Sequence, residues 1–498
     1  MAELKDPEIR VDSIADLRAS LAEHFGFDQF RDGQLDAIRA VLKGRDALVN
    51  MPTGADKSLC YQLPALELHG TTVVVSPLIA LADDQAKHLA DKGVASVVVN
   101  SHRSAKEIEQ ARQQLSDRSV EFVFTTAERL QSSDLCDLLR DVRVDLLVVD
   151  EAHCISQWGH DFRPDYLGLG FARQRLGNPP TLAMTATARP AVLEDIKRQL
   201  KLVDPSHVAT GYYRPNIAIE VRRVYSQEEK DIAWFETLRS LTGPSITYVA
   251  TTSQVDRLTA LLETQGIDAV GYHGKMNKAE RIASHEAFAS GATPVMVATN
   301  AFGMGIDKAD IRCVIHYDAP VTLDDYYQEF GRCGRNGEQA FAVTLYDAEG
   351  EKRMRFKSGS TPIEATELST AVRSMQLCRE QHGAVDLTLQ QLTDCSPIKK
   401  NKLRAILYAL SQFMIVAPVG KSSWRLMDDD PSPGVLELIE RKTVERSEEG
   451  KVRSVEMAEL LESKECRWAK ILRTFHDDTQ VEGCLCDICG SKPQDLAA

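Results

Sequence analysis

The sequence predicts an α/β protein, two doubly wound parallel-sheet domains in tandem followed by a winged-helix domain and a small helical metal-binding module. Three observations carry this. From residue 35 to 190 short valine-rich runs alternate with helical patterns, and after a boundary near residue 206 the alternation starts again. Past residue 386 it gives way to two short helices, a hairpin and a cluster of cysteines. A chain of 498 residues is too long for one core, and about three or four domains are expected. The boundaries read as 1–206, 207–350, 360–430 and 435–498.

The first half carries the runs DALVNM, TTVVVSP, ASVVVN, VEFVFTT, VDLLVVDE and TLAMTAT; the second carries SITYVATT, DAVGYHG, PVMVATN, CVIHYD and AFAVTLYD. Such runs, closed by polar or turn residues, suit parallel strands buried on both faces. Several close on chemically useful residues, and ligands of open α/β sheets gather at the carboxyl ends of strands.

Composition narrows the class. Apolar residues at 43% and charged ones at 27% describe a globular chain. No apolar run approaches the roughly 20 residues that span a bilayer, and the polar, acidic N-terminus is unlike a signal sequence. A cytoplasmic protein without a membrane partner is expected, nucleoid-associated if bacterial. The eleven cysteines lie mostly singly in apolar segments, as reduced core thiols do, except near the C-terminus. The net charge of −14 argues against a nucleic-acid partner on average, although local patches overrule an average.

The chemistry begins in LVNMPTGADKSLCYQLPAL, residues 48–66, where an apolar strand runs through Thr53, Gly54, Ala55 and Asp56 to Lys57 and Ser58 at a helix start. A phosphate-binding loop has this shape, with glycine expected where Asp56 stands. LLVVDEAH, residues 146–153, adds Asp150 and Glu151 at the end of a neighbouring strand. A nucleoside triphosphatase needs backbone N–H groups and a lysine around phosphates, a hydroxyl and an acid on Mg²⁺, and an acid for the attacking water. Lys57, Ser58, Asp150 and Glu151 supply these in order. A carboxylate at position 56 repels phosphate, and it could also pair with Lys57 and withdraw it.

Roughly residues 15–350 resemble the RecQ family of superfamily 2 DNA helicases, motif by motif. FGFDQFRDGQ is similar to the adenine-reading motif, which implies Phe27 stacking on the base, Arg31 beside it and Gln34 on its edge. SPLIALADDQ, with Ser76 and Pro77, and TTAERL resemble motifs that face the DNA backbone. DEAHCISQWGHDFRPDY joins the acidic box to an aromatic loop that in the family senses single-stranded DNA. LAMTATA, VATNAFGMGIDKADIRCVIHYDAP with Asp307 at the nucleotide, and YYQEFGRCGRNG with Gln328, Arg332 and Arg335 resemble the later motifs. The resemblance implies two RecA-like domains, ATP and Mg²⁺ as cofactors, and a 3′-to-5′ DNA-unwinding motor of repair or recombination, working as a monomer on DNA with a single-stranded region.

The residues support this in their own terms. Trp158 and Phe162, with His160 and Arg163, offer flat faces on which bases stack at about 1–3 kcal/mol each. The alternative is that both aromatics are core, against which the surrounding Ser, Gln, Gly, His, Asp and Arg argue. Arg332 and Arg335, three apart, share one helical face if the helix continues, so both reach the cleft between domains.

Residues 386–427 read as a winged helix: a helix capped by Thr388, a second opened by Ser396-Pro397, and a hairpin around Gly420. Lys399, Lys400, Lys402, Arg404, Lys421 and Arg425 would form a basic DNA-facing surface, or a merely solvated one. In the family a winged helix follows the zinc module, whereas here it precedes it. After DDDPSPG come Cys466 and then Cys484, Cys486 and Cys489, a four-thiolate set suited to structural Zn²⁺ and similar to the family's, with four metal-free thiols as the alternative. The family places two residues between its first loop pair where CLC has one, which leaves open a shifted ligand or a strained knuckle. No C-terminal helical DNA-binding module is expected. Two other classes stay in view, an RNA helicase of the DEAH type and a DNA-binding scaffold that kept the fold and lost hydrolysis.

Overall fold

The computed structural model describes residues 13–100, 103, 105–117, 119–156, 162–240, 242–303, 308–347, 350, 352, 362–419 and 423–490. Trp158, His160, Asp307, Gly420 and Lys421 lie outside them. The chain forms two compact units, residues 1–354 with 456–498, and residues 355–455. The second unit therefore interrupts the first in sequence.

The first unit holds two all-parallel sheets. One contains β1 (Ala47–Asn50), β2 (Thr71–Val75), β3 (Ser96–Val99), β4 (Phe122–Thr125), β5 (Val144–Val149), β6 (Thr181–Thr185) and β7 (Ser206–Ala209), in the order β3-β4-β2-β5-β6-β1-β7. Burial on both faces explains its apolar runs. Val73 and Val75 pack in one core cluster and Val74 in the other, and Leu147 and Val149 likewise oppose Leu146 and Val148. Each such side chain contributes about 1.5–3 kcal/mol.

The other sheet contains β8 (Ile217–Arg223), β9 (Ser245–Tyr248), β10 (Ala269–Tyr272), β11 (Val295–Ala298), β12 (Cys313–His316) and β13 (Ala340–Tyr346), in the order β10-β11-β9-β12-β13-β8. Both are α/β sheets of the expected doubly wound kind. β7 and β8 go beyond the sequence reading, which took residues 202–216 as a boundary and did not register IAIEVRR. β7 pairs with β1 along Ala47–Asn50, so the boundary drawn at residue 206 falls on its first residue.

Met457, Leu460, Trp468, Ile471 and Phe475 join the core of the second sheet, and the Trp468 indole donates to Ile217 O at 3.1 Å. The C-terminal segment from 456 is thus part of the first unit, and position 435 lies inside the helix Pro433–Glu462.

The second unit has the helices Ala365–His382, Leu389–Asp394 and Lys400–Ser411 and a small antiparallel sheet. Its strands are β14 (Asp386–Thr388), β15 (Val416–Val419) and β16 (Ser423–Leu426), in the order β14-β16-β15. The hairpin is where the sequence places it. Thr388 caps its helix through Gln391, as expected, but Ser396-Pro397 does not open the next one, which starts at Lys400 with Lys399 as its cap.

Candidate active site

After β1 the chain turns through residues 51–58 into the helix Leu59–Glu67. Gly54 takes φ 86° and Asp56 φ 49°. The aspartate therefore adopts the left-handed conformation that glycine takes freely and that Asp tolerates better than most residues. Lys57 Nζ folds over the loop and donates to Met51 O at 3.1 Å and Pro52 O at 3.2 Å. Burial lowers its pKa, against the opposing pull of Glu151 and Asp150.

One expectation is corrected here. Asp56 does not withdraw Lys57; its carboxylate meets the Arg31 guanidinium at 2.9 Å. Arg31 is positioned to do so because it also donates to Gly54 O and its own N–H is held by Gln34 Oε1 at 2.8 Å. The buried Gln34 amide then donates to Ala55 O at 2.9 Å and Asp56 O at 3.3 Å. Phe27 is 47% exposed and lines an adjoining cavity of about 530 Å³ with Asp56, Ser58, Gln85 and Lys308.

The acids stand at the end of β5. Asp150 is half-buried and its carboxyl is pushed up to about 7, by desolvation first and then by Glu151, with Lys57 opposing. Glu151 takes φ 48°, a second carboxylate in the left-handed region. The buried His153 lies 3.3 Å from Glu151 Oε2 and 3.0 Å from Thr185 Oγ1, joining the DEAH segment to the end of β6.

The second sheet closes the cavity. Thr53, Gly54, Asp56, Lys57, Ser58, Asp150 and Glu151 share it with Gln328, Arg332 and Arg335. Arg332 and Arg335 are not on a helical turn: the helix Leu323–Phe330 stops at Gly331, and Gly334 at φ 63° bends the following loop. Both still reach the cavity. Thr53 Oγ1 donates to Gly331 O at 2.9 Å, and a Cβ on Gly331 would stand only 2.2 Å from that hydroxyl oxygen. Glycine there lets the sheets approach.

Arg214 is a contributor the sequence reading missed. Buried beside β8, it donates to Gly331 O at 2.7 Å and Gly334 O at 2.6 Å, which fixes the loop carrying both arginines. It sits in YYRPN, within the stretch read as the boundary between the two sheets, where a lone arginine is the local signal.

The cavity fits a nucleotide's phosphates with a hard cation. Ammonium and guanidinium groups converge on it, while the Ser58 hydroxyl and Asp150 carboxylate supply the oxygen ligands Mg²⁺ prefers.

Among the residues expected at DNA, Ser76 is buried with Oγ accepting Leu78 N–H at 3.3 Å, and Pro77 O accepts Arg163 Nη1 at 3.2 Å. Phe162 is half-buried. In the second unit Lys402 pairs with Glu367 and Arg425 with Asp386, while Lys399, Lys400 and Arg404 stay exposed.

Cys466, Cys484, Cys486 and Cys489 come together with every Sγ within 4.8 Å of the others. Cys466 caps the helix Arg467–Thr474. The single residue of CLC has a structural use: Ile219 of β8 donates to Leu485 O at 2.9 Å and accepts from Asp487 N–H at 2.9 Å, so the knuckle joins the sheet edge. Arg467 holds Asp487 through two bonds of 2.9 Å. An all-sulfur set of this closeness fits structural zinc.

Residues 31–196 match the DEAD/DEAH box helicase family model and residues 230–337 the helicase conserved C-terminal domain. The probable ATP-dependent DNA helicase RecS of Bacillus subtilis is 36% identical over 368 residues, 73% of this chain and 74% of RecS. The ATP-dependent DNA helicase RecQ of the same organism is 40% identical over 338 residues, 68% of this chain and 57% of RecQ. The chain thus spans little more than half the length of that RecQ. Among solved structures, Mycobacterium smegmatis helicase Lhr bound to ssDNA and AMP-PNP superposes with TM-score 0.56 at 20% identity, covering 87% of this chain and 63% of Lhr. Saccharomyces cerevisiae Dbp5 bound to RNA and ADP BeF3 gives 0.55 at 18%, covering 69% and 92%. No described helix is long and apolar enough to cross a membrane.

Proposed function

The chain belongs to the RecQ family of ATP-dependent DNA helicases, and from that premise we propose that it is a 3′-to-5′ DNA motor of repair or recombination whose phosphate loop is slowed by Asp56. The observation that carries the reading is the convergence of Lys57, Asp150, Glu151, Gln328, Arg332 and Arg335 from two sheets on one cavity. In this reading Phe27, Arg31 and Gln34 bound the base, residues 53–58 the phosphates, and Asp307 a further part of the nucleotide.

Ser58 and Asp150 would hold Mg²⁺, which would supply charge neutralisation at the phosphates. Glu151 orients and deprotonates the attacking water, a task for which its proximity to His153 fixes its direction. Arg332 and Arg335 stabilise charge developing on the transferred phosphoryl group, and because they arrive from the second sheet, hydrolysis is tied to closure. Ser76, Pro77, Trp158, His160, Phe162 and Arg163 hold one DNA strand, and Lys399, Lys400, Lys402 and Arg404 the duplex, with Lys402 the weakest of the four because Glu367 already engages it. Cys466, Cys484, Cys486 and Cys489 would hold zinc, which would fasten the C-terminal segment to β8.

Asp56 supports a second reading, a DNA-binding scaffold that has lost hydrolysis. One experiment separates them: ATP turnover with and without single-stranded DNA, and unwinding of duplexes bearing 3′ or 5′ overhangs. The motor reading expects DNA-stimulated turnover and unwinding from the 3′ overhang. DNA binding without turnover establishes the scaffold, and preference for the 5′ overhang overturns the polarity.

A further inference from the structure

A second group of metal-ligating side chains lies in the inserted unit, apart from the nucleotide cavity and the cysteine knuckle. Cys378, His382 and Cys395 each place one ligand atom within 4.8 Å of the other two. Cys378 and His382 are four residues apart on the helix Ala365–His382, so they share a face. Cys395 ends the helix Leu389–Asp394 as its C-cap.

The local sequence dictates the meeting. Gly383 at φ 57° ends the first helix, three residues of β14 reverse the chain, and the Thr388–Gln391 capping box starts the second helix. Leu387, Leu389 and Leu392 then bury against the same core as Leu368, Val372 and Met375. The two cysteines are carried together by that packing.

Burial is graded across the group. Cys378 is fully buried, Cys395 half-buried and His382 exposed, so the cluster starts in the core and opens to solvent. Cys395 Sγ also lies 3.4 Å from Gln381 Oε1, a neutral contact that a metal ligand could give up. Tetrahedral zinc, with bonds of about 2.3 Å to sulfur and about 2.0–2.1 Å to nitrogen, sets its donors roughly 3.5–3.8 Å apart. The observed set needs only a small inward movement.

We propose that Cys378, His382 and Cys395 form a second site for a thiophilic divalent cation, zinc foremost, with a fourth coordination position open to water. On binding, the two thiols release their protons to solvent and both sulfurs and one imidazole nitrogen bond the metal. The cation would tie the first helix of the unit to the end of the helix Leu389–Asp394, at Cys395.

The test is zinc content per chain, by mass spectrometry, on full-length protein grown with zinc and purified without chelator. Wild type is expected to hold two zinc ions, one in the knuckle, and Cys395→Ser/His382→Gln to hold one. Cobalt loading should give a thiolate-to-cobalt absorption band that shrinks, without vanishing, in that variant. His382→Gln alone, which alters an exposed side chain and spares the core, should weaken retention of the second ion under dialysis. Equal zinc in wild type and the double variant, whether one ion or two, overturns the proposal. So does a Cys378–Cys395 disulfide found by thiol titration of the purified wild type.

Discussion

The nucleotide cavity and the cysteine knuckle are built to opposite rules. Positive φ beside the Cys484–Cys489 loop falls on Gly483 and Gly490, where it costs little. In the cavity it falls on Gly54 but also on Asp56 and Glu151, where it stores strain of order 1–3 kcal/mol each. The knuckle is tied by sheet bonds to Ile219, by the Arg467–Asp487 pair and by the Trp468 indole. The cavity's two halves meet at Thr53, Gly331 and Arg214, and charged groups from both line one open volume. The knuckle is arranged for permanence and the cavity for reaction, so damage to each should register in different measurements.

The largest effect belongs to the knuckle. Cys466→Ala or Cys489→Ala should lose one zinc equivalent and give poorly soluble, low-melting protein, since coordination of this kind contributes folding free energy directly, about 10–16 kcal/mol in isolated zinc modules. Helix 467–474 would lose its anchored cap while Trp468 and Ile471 still seek the core of the second sheet. Zinc content and thermal melting on the same preparation check it. A zinc-free variant that melts like wild type would erase the contrast.

Next comes Arg335→Ala, where the contrast predicts the reverse pattern. Turnover at saturating single-stranded DNA should fall by about 10³-fold, roughly 4 kcal/mol of transition-state stabilisation, with melting little changed. Arg335 packs against Gly54, so its removal opens space at the cleft rather than in a core. A variant that loses melting temperature and activity together would make Arg335 a strut.

How much of this was legible depended on range along the chain. The buried strands were readable because both faces of each are apolar, and the phosphate loop because its groups are local in sequence. β7 and β8 escaped because SHVA is a short edge strand and IAIEVRR ends in charges that reach solvent. The partner of Lys402, Glu367, lies 35 residues upstream on another helix, so a run of lysines looked more basic than the folded surface is. Cys378 and Cys395 read as lone core thiols for the same reason: only the reversal through β14 brings them together. Arg31 as the partner of Asp56 was likewise invisible, a consequence of Gln34 holding both Arg31 and the loop carbonyls.

That ion pair sets the smallest and most discriminating prediction. A bare carboxylate about 5 Å from one phosphate charge costs roughly 3 kcal/mol at an effective dielectric of 20, which would lower ATP affinity by about a hundredfold. Arg31 at 2.9 Å supplies an opposing charge, but the two side chains are 48% and 38% exposed, and such pairs are worth about 0–1 kcal/mol. Neutralisation is therefore partial. The backbone strain at Asp56 is present with and without nucleotide, so it belongs to melting rather than to turnover. Asp56→Gly should accordingly raise DNA-stimulated ATP turnover at subsaturating ATP by about thirtyfold, the roughly 2 kcal/mol that the pair leaves uncompensated, while DNA affinity stays unchanged. Repeating the substitution in an Arg31→Ala background isolates the pair: the gain from glycine should grow there by up to about fivefold, because an uncompensated carboxylate faces the phosphates. Equal gains in both backgrounds would mean that Arg31 does not shield Asp56. No gain in either would mean that the carboxylate stays clear of the phosphates, and that the loop works with aspartate as it would with glycine.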